Sequence, residues 1–134
     1  MYSLWSRTLF VSFVCTFRHL QPFSRVSSYM IGIQNAMKYV NQHYKKNITL
    51  SDVAAYVFIS EDYLTRLFKT HLNTTFKQFL TDRRIHHTRN LLVNTNLSVL
   101  DIASQCGFNS STYFTDCFKN SIGMTPRAFR EQIM

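Results

Sequence analysis

A chain of 134 residues holds one ordinary domain or two small units sharing a core, and 46% hydrophobic with 15% aromatic residues is too much apolar mass for a disordered protein. Three glycines and two prolines are too few for the tight turns of a β-sandwich or barrel. Fifteen Lys and Arg against seven Asp and Glu, a net charge of +8, favour an anionic partner, either nucleic acid or a membrane surface.

The longest apolar run, Leu9–Phe17, is broken by Ser12 and Thr16 and is far short of the ~20 residues a membrane span needs. Only Arg7 precedes it and no clear small-residue cleavage site follows, so it is a poor signal peptide. Residues 1–34 carry Arg7, Arg18 and Arg25 without an acid, and Phe10, Phe13, Val14 and Phe17 fit a helix face while the β-branched and aromatic content fits a strand. Pro22, Ser24, Ser27 and Ser28 read as a break. A boundary is therefore expected near residue 34. The segment before it is unassigned, as a remnant of another domain, an arm or a linker. Cys15, Cys106 and Cys117 are odd in number and widely spaced, which points to a reducing compartment and not to a disulfide framework.

From residue 33 the pattern becomes helical. Ile33, Ala36, Met37, Val40 and Tyr44 share one face. Thr49 with Asp52 predicts a capping box opening a short helix through Leu50, Val53, Ala54 and Val57. Ser60 caps a helix bearing Tyr63, Leu64, Leu67 and Phe68, and Asn73 stands where a left-handed stop is needed. Thr75 with Gln78 predicts a second capping box and a long helix through Phe79, Leu80, Ile85, Thr88, Leu91 and Leu92. The pattern then restarts. Ser98 opens a face of Val99, Ile102, Ala103 and Cys106. Gly107 ends it, and Ser110 or Ser111 caps a helix with Tyr113, Phe114, Cys117 and Phe118. Gly123 stops that helix, and Thr125-Pro126 begins the last.

This is an internal repeat. Ala54 recurs as Ala103 at an offset of 49; Phe68-Lys69, Thr75 and Phe79 recur as Phe118-Lys119, Thr125 and Phe129 at an offset of 50. The offset changes inside the turn, where the second copy has an extra position. Two copies of a short capped helix, a tight turn and a second capped helix predict an all-α fold of about seven helices: two helix-turn-helix subdomains joined by a long linker helix. The domain spans residues 35–134, with the first unit at about 49–72, the linker helix at about 75–94 and the second unit at about 98–121.

Residues 35–134 resemble the DNA-binding domain of AraC-type transcription regulators. The second half carries the more specific matches: Ile102-Ala103, Gly107-Phe108, Tyr113-Phe114, Phe118-Lys119, Gly123 and Thr125-Pro126. The first half adds Val53-Ala54, Tyr63-Leu64, Phe68-Lys69, Phe79-Leu80 and Arg84-Ile85. Asn73 replaces the usual glycine after the first recognition helix, and Thr88 stands at the usual small position in the linker helix. The family usually has a sensing or dimerisation domain, which 34 residues cannot hold; stand-alone members also exist, so the resemblance leaves the oligomeric state open and allows binding as a monomer.

The resemblance further implies sequence-specific binding of double-stranded DNA by a bacterial, cytoplasmic, nucleoid-associated transcription regulator. Its two recognition helices would enter successive major-groove segments ~34 Å apart. Asp62, Thr65 and Arg66 of the first unit and Ser111, Thr112, Thr115 and Asp116 of the second are the expected base-reading residues. Arg66 leads, since guanidinium pairs bidentately with guanine. Ser60, Lys69, Arg83, Arg84 and Lys119 are the expected phosphate contacts. Asp116 stands where the first unit has Arg66, so the second unit is expected to add less affinity. RNA polymerase is a further partner considered; a membrane partner and a cofactor are not expected, and neither is a metal, because His86 and His87 face different sides of one helix and no other ligand has metal spacing. No paired carboxylates, nucleophile elbow or glycine-rich phosphate loop suggest an enzyme. The alternative is a protein-interaction module, or a piece of a longer regulator, that modulates other transcription factors and binds DNA weakly.

Overall fold

The computed structural model describes residues 25–134, and within them the chain forms seven α-helices and no strand. They are α1 (Arg25–His43), α2 (Leu50–Tyr56), α3 (Glu61–Leu72), α4 (Phe76–Asn94), α5 (Val99–Gln105), α6 (Ser111–Ile122) and α7 (Pro126–Ile133). None of these is long and apolar enough to cross a membrane.

The expected boundary at residue 34 is corrected by α1, which runs through it. Met30 and Ile33 are buried together with Ala36 and Val40, and Tyr29 packs on the same core. Burial of this stripe, continuous at helical spacing, outweighs the weak helix propensity of Ser27 and Ser28. Residues 1–24, including the Phe10–Phe17 face and Cys15, lie outside the described residues.

The caps account for most of the helix boundaries. Thr49 and Asp52 form a reciprocal box: the Thr49 N–H donates to Asp52 Oδ2 at 2.8 Å, and the Asp52 N–H donates to Thr49 Oγ1 at 3.2 Å. The Thr49 N–H and the Thr49 hydroxyl, both donating to Asp52 Oδ2, hold its carboxyl below the ordinary pKa. Ser60, Ser98, Ser110 and Thr125 each accept one N–H from three residues on, which settles the choice between Ser110 and Ser111. Such caps are each worth about 0.5–2 kcal/mol. At Thr75 only half of the expected box forms. The Gln78 N–H donates to Thr75 Oγ1 at 3.1 Å, but the Gln78 side chain turns forward to Asp82 Oδ1 at 2.9 Å. Asn73 (φ 51°) and Gly123 (φ 92°) end the two longer helices of the repeat in the left-handed conformation, as their positions suggested.

Two apolar cores result. α1, α2, α3 and the first half of α4 enclose Ile33, Val40, Val53, Leu64 and Phe68. The second half of α4 with α5, α6 and α7 encloses Ile85, Leu92, Ile102, Phe114 and Phe118. α4 therefore belongs to both units, contributing Phe79 and Leu80 to one core and Ile85 and Leu92 to the other. Thr88, fully buried on α4, has its hydroxyl satisfied by donation to the Arg84 carbonyl at 2.8 Å.

The two helix-turn-helix turns are built alike. The Ile59 N–H bonds back to the Ala54 carbonyl at 3.1 Å, and the Phe108 N–H to the Ala103 carbonyl at 3.0 Å. Phe58 (φ 60°) and Gly107 (φ 92°) are thus equivalent left-handed residues. Phe58 is 93% exposed.

Candidate nucleic-acid interface

α3 buries Leu64, Leu67 and Phe68 and leaves Glu61, Asp62, Thr65, Arg66 and Lys69 exposed, so the residues expected to meet DNA form one outward face. Ser60, the cap, is exposed at its start. In α6, Phe114 and Phe118 are buried, while Ser111, Thr112, Asp116 and Lys119 are exposed and Thr115 is half-buried. The two faces match position for position: Thr65 with Thr115, Arg66 with Asp116, Lys69 with Lys119.

Both threonines spend their hydroxyl proton on the helix. Thr65 donates to the Glu61 carbonyl and Thr115 to the Ser111 carbonyl, each at 2.9 Å. In this rotamer each offers outward only its methyl group and oxygen lone pairs, suited to a thymine methyl or a base amino group. Among the described residues the ion pair is Arg127–Glu131, so Arg66, Lys69 and Lys119 keep their charges for an outside partner.

The adjacent arginines of α4 divide their work. Arg83 lies over the Phe79 ring, its Cζ 4.9 Å from the centroid, and partial burial lowers its pKa. Arg84, also expected as a phosphate contact, is half-buried and bonds within the protein. Its Nε donates to the Tyr44 carbonyl at 2.8 Å and its Nη2 to the Lys46 carbonyl at 2.9 Å, and the guanidinium sits 5.9 Å from the Phe108 ring centroid. It ties the turn after α1 to the second unit. Arg130 makes a corresponding clamp at the far end. From α7 it donates to the carbonyls of Leu92, Thr95 and Leu97 at 3.4, 3.3 and 2.5 Å, holding the turn after α4. Neither clamp has a sequence signal, because its acceptors are main-chain carbonyls more than thirty residues away.

The junction around Arg84 is tight. His87 stacks on Tyr44 with ring centroids 4.0 Å apart and planes within 3°. Burial, helped by His86, Arg83 and Lys45, lowers the His87 pKa. His86 is exposed, its ring nearly perpendicular to that of His87, and among the described residues no group of His, Cys, Asp or Glu could hold a metal ion.

Beside the junction runs a trough of about 460 Å³ lined by Asn47, Lys77, Arg84, Phe108, Asn109 and Tyr113. A second hollow of about 240 Å³ shares Lys77, Thr81 and Tyr113 with it and extends to Asn120. The sequence did not single out Asn47, Lys77 and Asn109; Asn47 and Asn109 lie between helices and Lys77 in the first turn of α4.

A sequence profile described as a helix-turn-helix domain matches residues 53–132. The chain belongs to the AraC-type helix-turn-helix family. The melibiose operon regulatory protein of Escherichia coli K12 is 33% identical to it over 113 residues, which is 84% of this chain and 37% of that protein. This AraC-type chain thus spans about a third of the length of the curated relatives it matches. The C-terminal domain of AraT, a response regulator from Geobacillus stearothermophilus, superposes with a TM-score of 0.74 at 31% identity, covering 77% of this chain and 86% of that one. The DNA-binding domain of AdpA, a global transcriptional factor solved with a target DNA, shares the AraC-type fold. Its TM-score is 0.69 at 24% identity, over 72% of this chain and 87% of that one.

Proposed function

We propose that this chain is a transcription regulator, working at the nucleoid, that binds double-stranded DNA sequence-specifically. A single copy places α3 and α6 in successive major-groove segments. The observation that carries the reading is the pair of matched outward faces, Thr65-Arg66-Lys69 and Thr115-Asp116-Lys119, on two units that share α4. The net charge of +8 and the regulatory proteins among its relatives support it.

In this reading Arg66 pairs with a guanine, and Asp62 and Thr65 meet the neighbouring base. Ser111, Thr112, Thr115 and Asp116 read the second segment, where a carboxylate can accept from cytosine N4. Ser60, Lys69, Arg83 and Lys119 position the backbone. Two recognition helices on one frame make a second copy unnecessary.

The test is selection of binding sites from random duplexes, followed by titration of the selected and a scrambled duplex over a range of salt. The reading requires a recurrent two-part site and an affinity that falls steeply with salt. Six phosphate contacts would give a log–log slope of about −5. Equal affinity for both duplexes, or a flat salt response, would favour the protein-interaction alternative.

A further inference from the structure

Nothing in the proposed contacts uses the trough beside the junction of the two units. Its walls come from the two ends of the reading machinery. Lys77 is in the first turn of α4, directly after α3 ends at Leu72, and Asn109 and Ser110 directly precede α6. A duplex with its major groove on both α3 and α6 turns its sugar-phosphate strands across whatever joins those two helix ends.

The chemistry of the trough fits that passage. Lys77 is exposed and, among the described residues, has no ion-pair partner. Arg84 lines the same trough half-buried, bonded to two neutral carbonyls and, among the described residues, in no ion pair. Burying a cation without a counter-charge is costly and leaves a standing attraction for an anion. Lys45 and Lys46 directly precede Asn47 and are exposed. Among the described residues no acid lines the trough; Asp82 lines the adjoining hollow, where it accepts from the Gln78 amide at 2.9 Å. Asn47 and Asn109, one from each unit, bring their amides to 3.5 Å, a long contact that both can exchange for an anionic oxygen.

We infer that this trough is a third DNA contact, a phosphodiester seat between the two reading helices, in which Lys77 supplies the charge and the Asn47 and Asn109 amides supply the donors. The inference rests on the DNA-binding reading and deepens it. Because the seat draws on both units, its occupation also holds them at the spacing at which α3 and α6 reach their grooves together.

The experiment uses the full chain, its selected duplex and a scrambled duplex, with Lys77→Ala, Asn109→Ala and Arg66→Ala compared. Lys77→Ala should weaken both duplexes alike, by about fivefold at physiological salt, and make the salt slope shallower by about 0.9. Asn109→Ala should weaken both duplexes alike without changing the slope. Ethylation of the phosphates between the two major-groove segments should interfere with binding of the parent chain and cease to interfere with Lys77→Ala. Unchanged thermal melting of the variants separates contact loss from misfolding. An unchanged slope and interference pattern in Lys77→Ala, while Arg66→Ala still abolishes site preference, would overturn the seat and leave the DNA reading intact. Absence of any preferred site in the parent chain would remove both.

Discussion

A Cβ atom built on Gly107 would lie 2.6 Å from the carbonyl oxygen of Tyr44, the same oxygen that accepts from Arg84 Nε at 2.8 Å. The turn of the second helix-turn-helix unit is thus pressed against the end of the first helix of the other unit. The equivalent residue of the first unit, Phe58, meets only solvent. One turn geometry occurs twice, and only one copy must be glycine.

Gly107→Ala should therefore be far more damaging than Gly123→Ala. Both glycines have φ 92°, but nothing lies within 4 Å of a Cβ at Gly123. The left-handed conformation alone costs a non-glycine residue about 1–2 kcal/mol. The backbone clash at Gly107 adds about 1–3 kcal/mol of overpacking. Urea unfolding of the two variants checks this, and equal losses would count against the close approach.

Phe58→Asn should stabilise the chain. Asparagine tolerates the left-handed region, and Phe58 has no packing to lose at 93% exposure. A gain of about 1 kcal/mol corresponds to a rise in Tm of roughly 4–8 °C for a domain of this size. A fall in Tm would mean that the ring makes a contact worth more than its strain.

Arg84→Ala should loosen the two units from each other. It strips the Tyr44 and Lys46 carbonyls of a charged donor, at a cost of about 2–3 kcal/mol. Because α4 still serves both cores, each unit should remain helical while cooperativity drops, seen as a smaller denaturant m value. Arg130→Ala should destabilise the second unit without separating the two. Indistinguishable unfolding curves for the two variants would contradict this division.

Stability should decline as pH falls below about 6.5. Burial lowers the pKa of His87 in the fold, so between the folded and unfolded values the unfolded chain binds the extra proton. The stabilisation is complete above the unfolded value of 6.5 and is lost as pH drops through it. Protonation would also set a cation beside Arg83, Lys45 and His86. His87→Phe keeps a ring on Tyr44 and removes the titration. Its melting temperature should fall less than the parent's between about pH 8 and about pH 5. Parallel curves would place the pH dependence elsewhere.

On DNA, Arg66→Ala should cost about 1–3 kcal/mol on the selected site and much less on scrambled duplex. Lys69→Ala should weaken both by similar factors and reduce the salt slope by about one. Asp116→Ala should leave affinity unchanged or raise it, because a carboxylate facing phosphates is removed. If Asp116→Ala instead abolishes site preference while Arg66→Ala acts equally on both duplexes, the two units have exchanged roles.

Most of the helical frame was legible in the residues because its causes are local. The caps at Thr49, Ser60, Ser98 and Thr125 bond to N–H groups three residues away, and the stops at Asn73 and Gly123 are single-residue properties. The faces of α3 and α6 follow from helical periodicity, so Arg66 and Asp116 could be placed outward from sequence alone. The repeat exposed the two-unit plan because both copies bury the same pattern.

Tertiary structure decided what depends on a distant partner. Whether Ser27 and Ser28 break α1 was settled by the core that Met30 and Ile33 enter. That Arg84 bonds within the protein was decided by two carbonyls presented by the turn at Tyr44 and Lys46, some forty residues earlier. Asn47, Lys77 and Asn109 share a trough only because α4 joins two cores at one angle. Local chemistry states which side chains can cap, stop or charge a helix. Which carbonyl or anion a long side chain reaches depends on how the units pack, and no short stretch of residues encodes that.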